Sequence, residues 1–130
     1  MPVVIRVPKQ LADYLESRGE AVPEPRSGMG LIDTGATISM VDSGAIEQLG
    51  VAPIGSTMLG TAGGPTQCPL YPVGLNIGQP GAPPLAAGEF ESIASGPLQA
   101  QGLIALLGRD LLQHMLLVYD GPSNRFSIAI

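Results

Sequence analysis

Asp33, Thr34 and Gly35 close an apolar run, Met29-Gly30-Leu31-Ile32, and are followed by Ala36 and Thr37. The pattern is that of a strand delivering a carboxylate into a tight turn, with Gly35 allowing the backbone to close. A carboxylate held rigidly at the floor of a cleft can serve as a general base or, when protonated, as a general acid. One carboxylate cannot hold both roles in a single turnover, whereas two placed a few Å apart share a proton and divide them. The Asp33 turn is read as the only Asp-Thr-Gly or Asp-Ser-Gly turn of the chain. The second carboxylate must then come from another copy of the chain, which predicts a homodimer contributing one Asp33 from each subunit.

The elements needed to position such a turn are short strands. Gly (18) and Pro (13) are plentiful and Trp is absent, which favours strands and turns over long helices. Residues 3–7 read as a strand, and Pro8 opens a helix with Leu11, Tyr14 and Leu15 on one face and Gly19 as its stop. Residues 21–28, with Pro23 and Pro25, read as a loop, residues 29–32 as the strand carrying Asp33, and residues 38–41 as resumed β structure. Asp42 or Ser43 caps a short helix that Gly50 ends.

Residues 56–59 and 66–77 form the arms of a hairpin around Gly60-Thr61-Ala62-Gly63-Gly64-Pro65, with Pro69 and Pro72 demoting the second arm to an edge strand. Residues 78–84 make a turn and residues 89–94 a strand, and the unbroken apolar run 103–107 reads as a buried strand. Gly108, Arg109 and Asp110 lead into a helix ending at Met115, and a terminal hairpin turns at residues 120–124. The 130 residues form a single domain.

Composition excludes several classes of function. A net charge of −5 with six scattered basic residues argues against a nucleic-acid partner, because phosphate binding needs clustered Lys and Arg. No apolar run approaches membrane-spanning length, so no membrane association is expected. The single Cys68 cannot form an intrachain disulfide and fits a reducing compartment, so a cytoplasmic protein is expected. Cys68 and His114 are the only residues of their types, too few for a zinc site and a poor basis for a Cys-His nucleophile. No metal and no organic cofactor is expected. The glycine-rich hairpin lacks the Lys-Ser/Thr ending of a phosphate-binding loop.

Three features fall in order: the Asp33-Thr34-Gly35-Ala36 turn, the glycine-rich hairpin about thirty residues on, and Ile104-Ala105-Leu106-Leu107-Gly108-Arg109-Asp110. This arrangement resembles the retropepsin-like aspartic proteases, the single-domain homodimeric family that includes retroviral proteases and bacterial relatives. The resemblance implies a mainly β, closed barrel-like fold with short helices, two symmetric Asp-Thr-Gly turns meeting at a dyad, and flaps closing over an extended peptide. It implies that Thr34 bonds into the partner's turn, and that Asp33, Thr34 and Gly35 form the catalytic motif. Ala36 bounds the substrate cleft, and Thr61, Ala62, Gly63 and Gly64 supply the flap.

The resemblance also gives supporting roles to Leu107, Gly108, Arg109 and Asp110. The strand ending at Leu107 crosses beneath the Asp33 turn, Gly108 makes a sharp exit, and Asp110 caps the following helix. In many retroviral members the residue matching Arg109 pairs with an aspartate soon after the turn. Thr37 and Ile38 occupy that region here, leaving Asp42 as the substitute partner. The expected activity is that of an aspartic endopeptidase acting on peptide or protein substrates. The alternative is a catalytically silent dimeric module that binds peptides or serves assembly on the same fold, a reading to which Pro65, Pro69 and Pro72 in the flap give weight.

Overall fold

Val3 and Ile5 are fully buried while the residues between and beside them are half-buried, the period-two pattern of a strand packed on one face. This strand, β1 (Pro2–Arg6), is the seam of the molecule: it pairs antiparallel with β2 (Arg26–Ile32) on one side and with the far half of β5 (Gly64–Ile77) on the other. The computed structural model describes the backbone of residues 1–130 and the side chains of residues 1–90 and 93–130. The chain is mainly β, with β3 (Met40–Asp42), β6 (Ala86–Gly96) and β7 (Ala105–Leu107) completing a sheet that runs β1-β2-β7-β3-β6-β5 and returns to β1. β4 (Gly55–Thr61) pairs only with the near half of β5 and projects from the ring as a hairpin.

The core inside the ring is built from Ile5, Val41, Leu75, Ile77, Ile93 and Leu107, all essentially inaccessible. Helix α2 (Ser43–Leu49) adds Ile46 and Leu49 to it, and the short α3 (Arg109–Leu112) adds Leu111 and Leu112. Across the seam, Arg6 pairs with Gly74, which pairs in turn with Glu89 of β6. Gly74 has no side chain to obstruct the Arg6 guanidinium, which crosses over it to form an ion pair with Glu89. None of the described helices is long and apolar enough to cross a membrane.

Several expectations change at their edges. β2 begins at Arg26, so residues 26–28 belong to a strand rather than a loop, because they find β1 as a partner. β3 starts at Met40, two residues later than expected, and β6 is longer at both ends. Helix α1 (Lys9–Ser17) packs Leu11 and Ala12 against the core, while Tyr14 is about half exposed and instead stacks beside Arg18. α3 is four residues long and continues to Met115 only as turns. The apolar run 103–107 is not uniformly buried: Ala105 and Leu107 face the core, whereas Leu103, Ile104 and Leu106 are half-buried.

β5 is not an edge strand in its second half, where it lies between β6 and β1. Pro72 is accommodated at the register shift where Tyr71 pairs with Ile93 but Val73 pairs with Phe90. Pro65 and Pro69 lie four residues apart, so their nitrogens face the same side of the strand. Both fall before Leu70, where pairing with β6 begins, so neither breaks a ladder on that side.

The C-terminal strands β8 (Leu116–Asp120) and β9 (Arg125–Ala129) pair with each other and, among the described residues, with no other strand. Their turn follows the expectation from sequence: Asn124 takes a left-handed φ of 50°, and the Asp120 carboxylate accepts from the Ser123 N–H.

Candidate active site

β7 lies between β2 and β3, parallel to the first and antiparallel to the second. The chain leaving β2 at Ile32 must therefore arch over the end of β7 before re-entering the sheet as β3. Asp33 begins that arch. Its N–H donates to the Leu107 carbonyl at 3.0 Å, fixing the backbone just where the strand ends. The Asp33 Oδ1 accepts from the Gly35 N–H at 2.9 Å, which orients the carboxylate within its own turn. A Cβ on Gly35 would sit 3.2 Å from that oxygen, and Gly35 does not adopt a positive φ. Glycine at this position thus serves the close approach of the Asp33 carboxylate rather than a left-handed backbone. The Oδ2 atom has no hydrogen-bond partner among the described residues.

The rest of the arch is held by the segment after β7. The Gly108 N–H donates to Ser39 Oγ at 2.8 Å, and the Arg109 and Asp110 N–H groups donate to the Ala36 and Thr37 carbonyls at 2.9 and 3.3 Å. The Asp110 carboxylate accepts from the Ser39 N–H at 3.0 Å and from its hydroxyl at 2.6 Å. A Cβ on Gly108 would lie 2.8 Å from the Ile38 carbonyl carbon, so this glycine is demanded by close backbone approach. Asp110 does not cap α3 as expected. The N-cap position is Gly108, and the Asp110 carboxylate, from the first helical turn, reaches back to Ser39 and accepts its own neighbour's Leu111 N–H. Leu107, Gly108 and Asp110 are thus each bonded to the segment 33–39.

Arg109 pairs with neither Asp42 nor any other carboxylate among the described residues. Its guanidinium donates to the Thr34 carbonyl at 2.8 Å and to the Thr37 hydroxyl at 3.1 Å. Asp42 is occupied elsewhere. Its Oδ2 caps α2 through the Ala45 N–H, and its Oδ1 accepts from the Leu98 and Gln99 N–H groups, both at 2.9 Å.

Asp42-Ser43-Gly44 is a second Asp-(Thr/Ser)-Gly triplet, contrary to the reading of the Asp33 turn as the only one of its kind. Geometry separates the two. Asp42 is buried with its oxygens taken by three backbone N–H groups, and it does not border the cleft that Asp33 lines. It therefore cannot serve as a second carboxylate in that cleft, where Asp33 is the one carboxylate among the described lining residues.

That cleft has a volume of about 450 Å³. Asp33, Gly35, Ala36 and Thr37 form its floor, Ile38, Met40 and Leu106 an apolar side, and Leu59, Gly60 and Thr61 of β4 stand across it. Of the expected flap residues only Thr61 lines the cleft. Ala62 and Gly63 form the exposed two-residue turn, and Gly64 takes φ 105° to rejoin the twisted strands. The Thr61 hydroxyl donates to the Gly64 carbonyl at 2.6 Å and closes the tip.

Ile38, Met40, Leu59, Gly60 and Leu106 are cleft residues not singled out from sequence, and neither was Ser39, the centre of the hydrogen-bond staple. Ser39 had no readable signal, since it precedes β3 and sits between the apolar Ile38 and Met40.

Another cavity of about 310 Å³ adjoins α3 and the C-terminus, with Leu75, Phe90, Met115 and Ile130 in its walls. Of its titratable neighbours, Glu89 is paired with Arg6 and Asp110 with Ser39, leaving His114 alone and no acid-base pair. No group of three metal-ligating side chains occurs among the described residues. No protein-family model matches the chain, and no curated protein matches it.

Proposed function

We propose that the protein is a homodimeric aspartic endopeptidase of retropepsin type. One observation carries this reading. Asp33 is held by the Gly35 N–H at the floor of a cleft, with one oxygen free of partners among the described residues and a β-hairpin standing opposite. Such a carboxylate has the exposure and rigidity that proton transfer needs.

The reaction requires two of them. The ionised Asp33 of one subunit takes a proton from a bound water, whose oxygen attacks the scissile carbonyl carbon. The protonated Asp33 of the partner subunit donates its proton to the carbonyl oxygen. The tetrahedral species then collapses, the C–N bond breaks, and a proton from the dyad reaches the leaving nitrogen. The substrate lies extended between floor and flap, its apolar side chains against Ile38, Met40 and Leu106. The exposed Thr34 hydroxyl, which has no partner within its own chain among the described residues, bonds across the dyad. The unpaired hairpin β8–β9 supports dimerisation: it exposes Val118, Tyr119 and Phe126, and an isolated two-stranded hairpin is marginal in water.

The second reading, a peptide-binding module without turnover, is favoured by Pro65 and Pro69, which remove N–H donors from the arm of the flap. Turnover of a peptide library by the wild type, and by Asp33→Asn as a near-isosteric control, separates the two. The endopeptidase reading expects cleavage that the variant loses. Peptide binding without cleavage by either protein would establish the second reading.

A further inference from the structure

The chain has six basic residues, and three of them, Arg6, Lys9 and Arg18, form ion pairs with Glu89, Asp13 and Glu20. Of the other three, Arg109 is the one bonded to a residue of the Asp33 cleft. It is exposed, and its two hydrogen bonds go to neutral oxygens, the Thr34 carbonyl and the Thr37 hydroxyl. A guanidinium carries five N–H donors, so among the described residues most of its capacity, and all of its charge, has no partner. Thr37 lines the cleft floor, and no residue lining the cleft is basic. Among the described residues Asp33 is the only acid there, in a protein of net charge −5. Arg109 is therefore an isolated positive site at the border of the cleft, where a carboxylate can be held bidentately.

The geometry points to Arg109 as a specificity-determining residue that selects peptide substrates bearing an acidic side chain to one side of the scissile bond. This rests on the endopeptidase reading for the place of the scissile bond, though not for the binding itself. With two chains about a dyad, an Arg109 stands at each side, so the preference applies to both flanks of the bond. The apolar wall of Ile38, Met40 and Leu106 takes the side chains nearer the reacting carbonyl, and the acidic residue lies beyond them.

The test is a set of peptides sharing one cleavable core, in which Glu is scanned along each flank against Gln at the same position. Wild type is expected to favour at least one Glu peptide over its Gln counterpart by roughly threefold to tenfold in kcat/KM, with the ratio falling as salt is raised. Arg109→Gln should bring that ratio close to one, and Arg109→Lys should keep part of it, because a point charge remains without the fork. The ratio is internal to each protein, so a general loss of activity in a variant does not obscure it.

Binding of the same peptides to Asp33→Asn, followed by fluorescence polarisation, gives the preference without turnover. A Glu preference in binding that Arg109→Gln removes supports the inference even if no peptide is cleaved, in which case the endopeptidase reading alone fails. Equal treatment of Glu and Gln at every position by wild type, or a preference that survives Arg109→Gln, would overturn the inference and leave the endopeptidase reading intact.

Discussion

Gly108 and Ile38 are in such close backbone contact that a Cβ on Gly108 would stand 2.8 Å from the Ile38 carbonyl carbon and 2.9 Å from its oxygen. The two residues lie on opposite sides of the crossing that holds the Asp33 arch. The obstacle to a side chain is main chain, which cannot rotate away as the end of a flexible side chain can. The position of the cleft floor thus depends on a hydrogen atom seventy residues along the chain.

Gly108→Ala is expected to push the segment 36–38 outward and to lengthen the bond from the Arg109 N–H to the Ala36 carbonyl. The overpacking should cost about 1–3 kcal/mol of stability. Because the displaced segment forms the floor of the cleft, activity at a temperature where the variant is fully folded should fall as well. Denaturant unfolding together with peptide turnover checks both parts. A variant as stable and as active as wild type would show that the arch has slack the structure does not show.

Ser39→Ala removes the hydroxyl that accepts from the Gly108 N–H and donates to the Asp110 carboxylate. Both groups sit in a largely buried setting, so the loss should cost about 1–3 kcal/mol, and Ser39→Thr should recover some of it if its methyl group fits. The measurement is the urea midpoint at constant m. A shift of under ~0.3 kcal/mol would mean that water replaces the hydroxyl at little cost.

The dimer prediction concerns the hairpin. Leu117, Tyr119, Phe126 and Ile128 share one face by the cross-strand register, and Tyr119 and Phe126 are largely exposed. Specific activity should fall on dilution as subunits part. Phe126→Asp should weaken association on the order of tenfold or more while leaving the monomer folded, because the ring contributes little to the core. Sedimentation velocity across a dilution series, read beside activity per chain, is decisive. Activity that remains constant per chain while only monomers sediment would exclude a site shared between subunits.

Much of the local structure was legible in sequence because its causes are local. The alternation in β1, the Asp120–Asn124 turn and the glycine-bounded helix α2 each follow from residues within a few positions of one another. Of the hairpin residues singled out from sequence, Thr61 lines the cleft with Leu59 and Gly60, while Ala62 and Gly63 form the turn. The lengths of β2, β5 and β6 were misjudged for a related reason, since a strand extends as far as it finds a partner and the partners are distant in sequence.

Asp33 and Asp42 show where sequence stops deciding. Each precedes a hydroxyl residue and a glycine, and each follows an apolar strand. By itself, the sequence determined that the chain has carboxylate-bearing turns on short strands and only one Cys and one His. Tertiary structure alone decided which aspartate lines the cleft. Around Asp42, the Leu98 and Gln99 N–H groups arrive from more than fifty residues away and consume one oxygen, while the helix it caps takes the other. At Asp33 the neighbouring strand supplies only the Leu107 carbonyl, an acceptor that can bond the backbone N–H but not the ionised carboxylate. One oxygen is left without a partner, because a carboxylate can be satisfied only by donors and the described residues bring none to it beyond Gly35.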